Sequence, residues 1–262
     1  MDLKLKDKVV VINAVTGGIG KAIAKAFAEE GAKLAVSSTS QEKLDALLPE
    51  LGAAPDHVKT FICDVTKPEQ IKAFIDGAAA AYGGIDSVII NAGYEGQHAL
   101  IQDSNPEEFE TVYKINVFGP MYMMKYAAPY LLKKGKGSIV IIASDGSFIG
   151  APGMSAYVSS KHAVAGMAKC VSMELGPQGI HVNYVCPGAV DTPMMRRIEK
   201  KTFGDTKTPE EAERIIASAY FDKRYCKPEE VAYATLYLAS EVSAHIMSES
   251  IRLDAGLGST SR

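Results

Sequence analysis

The sequence predicts a doubly wound α/β fold, a parallel sheet covered by helices on both faces. Three observations carry the prediction: short continuous apolar runs such as Val9-Val10-Val11-Ile12, their alternation with segments of helical apolar spacing, and a glycine cluster directly after the first run. Strands that are apolar throughout are buried on both faces, and strands alternating with helices are the pattern of a parallel sheet.

Taken in order, the first strand leads through the glycines to Ile19, Ile23, Ala26 and Phe27 at helical spacing, up to a stop at Gly31. A strand over 34–37 precedes a helix from about residue 41, and a strand over 58–62 precedes one starting near Pro68. Val88-Ile89-Ile90 ends on Asn91-Ala92-Gly93. One long helix is expected over 106–134, then a strand over 138–142. A helix over 157–175 leads to a strand over 180–186. Residues 236–239 end a late helix, and 250–253 form the last strand. Only 191–227 breaks the alternation, with proline, charge and aromatic residues, and it is expected to be a substrate lid within a single domain spanning 1–262. A ligand of such a sheet lies at the carboxyl ends of the strands.

Composition removes several classes of function. A chain of 262 residues, 47% hydrophobic, buries one sizeable core. A net charge of −3 gives no field for a phosphate backbone, so nucleic acid is excluded as a partner. No apolar run is long enough to span a membrane, and the charged start Met1-Asp2-Leu3-Lys4 does not read as a signal peptide. Cys63, Cys170, Cys186 and Cys226 are widely separated, without metal-ligand spacing. A soluble cytoplasmic protein with reduced, mostly buried thiols and no metal site is expected.

Gly18-Ile19-Gly20 places unobstructed backbone N–H groups at a helix amino terminus, where the helix dipole stabilises a diphosphate. Tyr157 and Lys161, four residues apart on one helix, share a face. A phenol of ordinary pKa about 10 is a poor base at neutral pH unless a nearby cation favours the phenolate, and Lys161 supplies one. Ser144, just past a strand, is placed to hydrogen-bond a substrate oxygen.

With these residues the chain resembles the short-chain dehydrogenase/reductase family, and the resemblance runs nearly its whole length. The family's turn T-G-x-x-x-G-x-G is matched at Gly18 and Gly20, with Asn13 for the threonine and Ala14 for the first glycine. Ala14 is strained if the turn needs a positive φ. Cys63-Asp64-Val65 is similar to the family's adenine-binding aspartate, Asn91-Ala92-Gly93 to its N-A-G signature, and Asn116 to its helix asparagine, implied to hold a water beside the lysine. The match continues through Asn183 and Pro187-Gly188-Ala189-Val190-Asp191-Thr192 to Asp254-Ala255-Gly256. By resemblance Thr192 and the Val190 backbone hold the nicotinamide carboxamide.

The resemblance implies a Rossmann-type fold, a catalytic set of Asn116, Ser144, Tyr157 and Lys161, and NAD(P)-dependent interconversion of a secondary alcohol and a ketone, in a homotetramer. Where an NAD-preferring member has an acidic residue the chain has Ser38, followed by Thr39, which favours NADP(H) over NAD(H), although no cation is read into this loop. Tyr94, Glu95, Asp145, Phe148, Met154 and parts of 191–225 are expected to line the substrate pocket, and their apolar surface and two carboxylates suit a cyclic or bulky alcohol bearing another polar group, such as a hydroxysteroid. A 3-oxoacyl-thioester reductase is the alternative, less favoured because no basic cluster is read near the lid. A catalytically silent nucleotide sensor would have no reason to keep the phenol, ammonium and hydroxyl in register.

Overall fold

The strands are β1 (Val9–Ile12), β2 (Lys33–Ser38), β3 (Val58–Ile62), β4 (Ser87–Ile90), β5 (Gly137–Ile142), β6 (Ile180–Pro187) and β7 (Ser250–Leu253). All pair in parallel, in the order β3-β2-β1-β4-β5-β6-β7. This is the doubly wound, Rossmann-type sheet the sequence predicts. The computed structural model describes residues 2–257; Met1 and 258–262, the ends of the expected 1–262 domain, lie outside the described residues.

The helices are α1 (Gly18–Glu29), α2 (Gln41–Leu47), α3 (Pro68–Tyr82), α4 (Pro106–Tyr113), α5 (Gly119–Lys134), α6 (Ser155–Leu175), α7 (Pro193–Phe203), α8 (Pro209–Ala217) and α9 (Pro228–Ala239). Side chains alternate across the sheet. Val10, Ile12, Val140 and Ile142 join the core under α1, α2 and α9, whereas Val11, Ile139 and Ile141 join the core under α3, α5 and α6. Because both faces are buried the strands carry no polar alternation, and each enclosed Val or Ile contributes about 2 kcal/mol.

The chain moves outward from β1 to β3 on one side and from β4 to β7 on the other. The crevice above the β1/β4 boundary is therefore the natural ligand site. Three details depart from the sequence reading. The helix expected over 106–134 is interrupted by a π turn at Lys114–Phe118, between α4 and α5. Pro120 has no N–H for the carbonyl of Asn116, four residues back, so regular α hydrogen bonding lapses there. Cys170 is exposed, while Cys63 and Cys186 are buried. The irregular stretch 191–227 holds two helices, α7 and α8. Its base is closed by the Val190–Cys226 bridge and the bond from Asp191 N–H to the Cys226 carbonyl, 3.0 Å. Among the described residues no helix is long and apolar enough to cross a membrane.

Candidate active site

The turn after β1 is built for close approach. A Cβ on Gly20 would stand 2.4 Å from the Ala14 carbonyl oxygen, and one on Gly18 would stand 2.7 Å from Thr192 Cγ2. Ala14 does sit at φ +54°, the strained region expected for it. Asn91 Nδ2 fastens this residue by donating to its carbonyl oxygen at 3.0 Å. Asn13, expected beside the cofactor, is fully buried beneath the groove instead. Its Oδ1 accepts from the N–H groups of Asn91 (2.6 Å) and Ala92 (3.0 Å), so it ties the end of β4 to the turn.

Above the turn runs a groove of about 540 Å³. Gly18, Ile19, Asn91, Ala92 and Gly93 form its floor, and Asp64 and Val65 flank it. Asp64 Oδ1 accepts from the N–H and hydroxyl of Thr66. At one end lie Ser38 and Thr39, with the Ser38 hydroxyl 2.9 Å from Thr16 Oγ1. Lys43 lines the same end, which corrects the reading that no cation serves this loop: the first turn of α2 brings it there. At the other end are Tyr157, Lys161 and Thr192.

A second cavity of about 340 Å³ adjoins the groove, and Tyr157, Ile19 and Thr192 line both. Ser144, Asp145, Met154, Pro187, Gly188 and Val190 face this pocket. Its other walls are mostly apolar, among them Ile149, Met195, Ile198 and Ile216. Thr192 caps α7, accepting from Met195 N–H at 3.3 Å and donating to the Val190 carbonyl at 3.1 Å.

The four expected catalytic residues converge. Lys161 is buried, with Nζ donating to the Ile142 carbonyl at 3.0 Å and standing 5.6 Å from the Tyr157 ring centroid. Burial pushes the Lys161 pKa down to about 8 and the Tyr157 phenol up to about 12, with only the Ser144 side chain beside the phenol pulling the latter back. In the chain alone, desolvation thus outweighs the lowering expected from Lys161. Asn116 sits in the π turn, buried, with Oδ1 accepting from Tyr94 N–H (2.8 Å). Its Nδ2 donates to the Tyr94 carbonyl (2.9 Å) and to Ser160 Oγ (3.0 Å). It thereby fixes the backbone just past Gly93.

Three residues expected at the substrate lie elsewhere. Glu95 is buried away from the pocket, because α7 claims its carboxylate: Arg197 Nε and Lys201 Nζ reach Oε1 at 2.8 and 2.9 Å, and Arg197 Nη2 reaches Oε2 at 3.1 Å. Tyr94 donates to Glu108 at 3.0 Å, and Phe148 is exposed, stacked under Arg252 at 4.7 Å. A basic cluster also exists within 191–227, contrary to the sequence reading. Arg196, Arg197, Lys200 and Lys201 all lie on α7, and each faces a carboxylate: Arg196 meets Asp191, Glu199 and Glu213, and Lys200 meets Asp205. Tyr220 is a pocket residue the sequence reading did not single out; its hydroxyl accepts from Ala189 N–H at 2.7 Å.

A dinucleotide groove meeting an apolar pocket at a Tyr–Lys pair, on this sheet, is the arrangement of a nicotinamide-dependent oxidoreductase. The chain belongs to the short-chain dehydrogenase/reductase family. The family model described as enoyl-(acyl carrier protein) reductase matches residues 14–258. The 3-oxoacyl-[acyl-carrier-protein] reductase of Thermotoga maritima is 35% identical over 97% of this chain and 99% of its own. The crystal structure of levodione reductase superposes with a TM-score of 0.94 at 30% identity, covering 98% of this chain and 100% of that one. An actinorhodin polyketide ketoreductase with NADPH (TM-score 0.91, 31% identity, 96% and 97% covered) is similar, as is an NAD⁺-bound xylitol dehydrogenase (0.90, 27%, 97% and 100%).

Proposed function

We propose that the protein interconverts a secondary alcohol and a ketone, with Tyr157 as its acid/base and a cyclic or bulky substrate, a hydroxysteroid being one candidate. The observation that carries this reading is the place of Tyr157 on both cavities, where a reacting oxygen in the pocket meets the end of the groove. Gly18 and Ile19 would hold the cofactor diphosphate, Asp64 and Val65 the adenine, and Lys161 with Asn91, Ala92 and Gly93 the nicotinamide ribose. Pro187, Gly188, Val190 and Thr192 would frame the carboxamide. The nicotinamide cofactor, when bound, supplies or takes the hydride.

Tyr157 gives its proton to the ketone oxygen, or takes one from the alcohol, and Ser144 hydrogen-bonds the same oxygen. With the phenol pushed up to about 12, Tyr157 is already a proton donor at neutral pH. The alcohol direction needs the Lys161 ammonium beside the phenolate. The apolar walls and the excursion over 191–227, acting as a lid, suit a bulky substrate in a single domain. Ser38, Thr39 and Lys43 favour NADP(H), since two hydroxyls and an ammonium can receive a 2′-phosphate that an acidic residue would repel. NAD(H) use is the alternative. The same reading has the enzyme work in the cytoplasm as a homotetramer packed through its two long helices. Reduction of a 3-oxoacyl thioester is a second reading, favoured by the Thermotoga relative.

Incubation with NADPH or NADH and a panel of cyclic ketones, 3-oxoacyl thioesters and hydroxysteroids tests these readings. Turnover of cyclic ketones with a higher kcat/KM for NADPH is expected, and Ser38→Asp should move the preference toward NADH. Turnover of thioesters alone establishes the second reading. No turnover of any carbonyl, with cofactor bound, contradicts both.

A further inference from the structure

Next to the proposed reacting oxygen stands a carboxylate the mechanism above does not use. Asp145 lines the pocket, and its Oδ1 accepts the Ser144 hydroxyl proton at 2.8 Å and the Gly146 N–H at 2.7 Å. The Gly146 N–H also reaches Ser144 Oγ, at 3.1 Å. A serine hydroxyl has one proton. While Asp145 is ionised, that proton is committed to the carboxylate, and Ser144 presents only lone pairs to the pocket. An oxygen gaining negative charge during hydride transfer needs the opposite, a donor.

We propose that Asp145 is a positioning residue that sets the polarity of Ser144: protonated Asp145 donates to Ser144 Oγ and frees the serine proton for the substrate oxygen, and ionised Asp145 withdraws it. The inference rests on the reaction assigned to Tyr157 and Ser144 above.

The surroundings keep the protonated form within reach. Burial raises the Asp145 pKa, and Asp254 adds to it; the Ser144 and Gly146 hydrogen bonds and the Arg252 charge oppose it. Arg252 is largely spent, donating through Nε and Nη2 to Asp254 Oδ2 at 3.0 and 2.6 Å while stacking on Phe148. The remaining groups that feel Asp145 are the Tyr157 phenol on α6, the Cys186 thiol on β6 and the Tyr220 phenol after α8, each raised chiefly by its own burial. None of them is a cation, and among the described residues no lysine, arginine or histidine forms an ion pair with Asp145. In both reaction directions, then, the step should weaken as pH rises through the Asp145 pKa, above the ordinary aspartate value.

The test is the pH profile of kcat/KM for one active ketone, from pH 4.5 to 9 with saturating cofactor, in the unchanged enzyme and in Asp145→Asn. The unchanged enzyme should show a descending step that Asp145→Asn lacks. Above the step the variant should be faster by about tenfold, the scale of one donor regained. Asp145→Ala, which removes the acceptor, should give the same flat profile if the amide variant folds poorly. In a Ser144→Ala background, adding Asp145→Asn should leave the profile unchanged, since the two residues act through one proton. Superposable profiles, or a uniform loss in Asp145→Asn at every pH, overturn the proposal and leave the Tyr157 reaction standing. Normal turnover in Tyr157→Phe overturns the reaction assignment, and this inference with it.

Discussion

The groove and the 191–227 excursion are held together in different ways. The groove is made of backbone and small buried groups: glycines packed against carbonyls, Asn13 tying two strand ends, and side chains interlocked on both faces of the sheet. The 191–227 excursion has a small apolar cluster of Met195, Ala217 and Tyr225, and around it long charged side chains, Arg196 gathering Asp191, Glu199 and Glu213, and Arg197 with Lys201 gripping Glu95. Interlocked packing tolerates no added atom, whereas ion pairs reaching solvent loosen at small cost. The first region should therefore fail abruptly and the second by degrees.

The largest effect is expected at Gly20. Gly20→Ala drives a methyl to 2.4 Å from a backbone oxygen, so the turn must shift. Cofactor affinity should fall by about a hundredfold or the chain should unfold, a loss on the scale of about 3 kcal/mol or more. NADPH titration beside a thermal melt reads both, and normal values for both would show that the groove is as compliant as the 191–227 excursion.

A smaller effect is expected at Glu95. Glu95→Gln removes the charge that Arg197 and Lys201 share, but both cations reach water. Substrate KM should rise by about fivefold, with about 1 kcal/mol of stability lost and kcat little changed. The same latch has a pH signature. Burial pushes the Glu95 pKa up, but the hydrogen bonds from Arg197 and Lys201 outweigh it and hold the carboxyl below its ordinary value. A depressed folded pKa means that the stabilisation is complete above the unfolded value of about 4.3 and is lost as pH falls through the folded one. Limited proteolysis within 191–227 should accelerate on acidification below about pH 4 in the unchanged enzyme, before the sheet melts, and show no such onset in Glu95→Gln. Equal pH dependence in the two would remove Glu95 from the latch.

The sequence was legible where chemistry follows local spacing. The glycine turn, the Tyr157/Lys161 pair and every strand of the sheet follow short separations that periodicity or a motif exposes. Glu95 was not legible, because the partners that take it from the pocket lie 102 and 106 residues later. The π turn was hidden by helical apolar spacing on both sides, although Pro120 marked the place where a hydrogen bond is missing. Lys43 belongs to a helix whose direction only the fold supplies. The cations of α7 were adjacent in sequence; what was not visible is that each would be matched by a carboxylate.

The smallest effect sharpens the same contrast within the groove. Ala14→Gly relieves a left-handed residue at about 1 kcal/mol, less the entropy glycine adds to the unfolded chain. Tm should rise by about 1–2 °C with kcat unchanged. A fall in Tm would mean that the alanine methyl contributes packing that outweighs its strain.

The central claim is that Tyr157 moves the proton, and replacing it by phenylalanine keeps the ring while removing the hydroxyl. Single-turnover rates of ketone reduction by Tyr157→Phe, measured with NADPH bound and the fold checked by its melt, should fall by about a hundredfold or more, the scale of a lost general acid. A rate within a few fold of the unchanged enzyme would contradict the account.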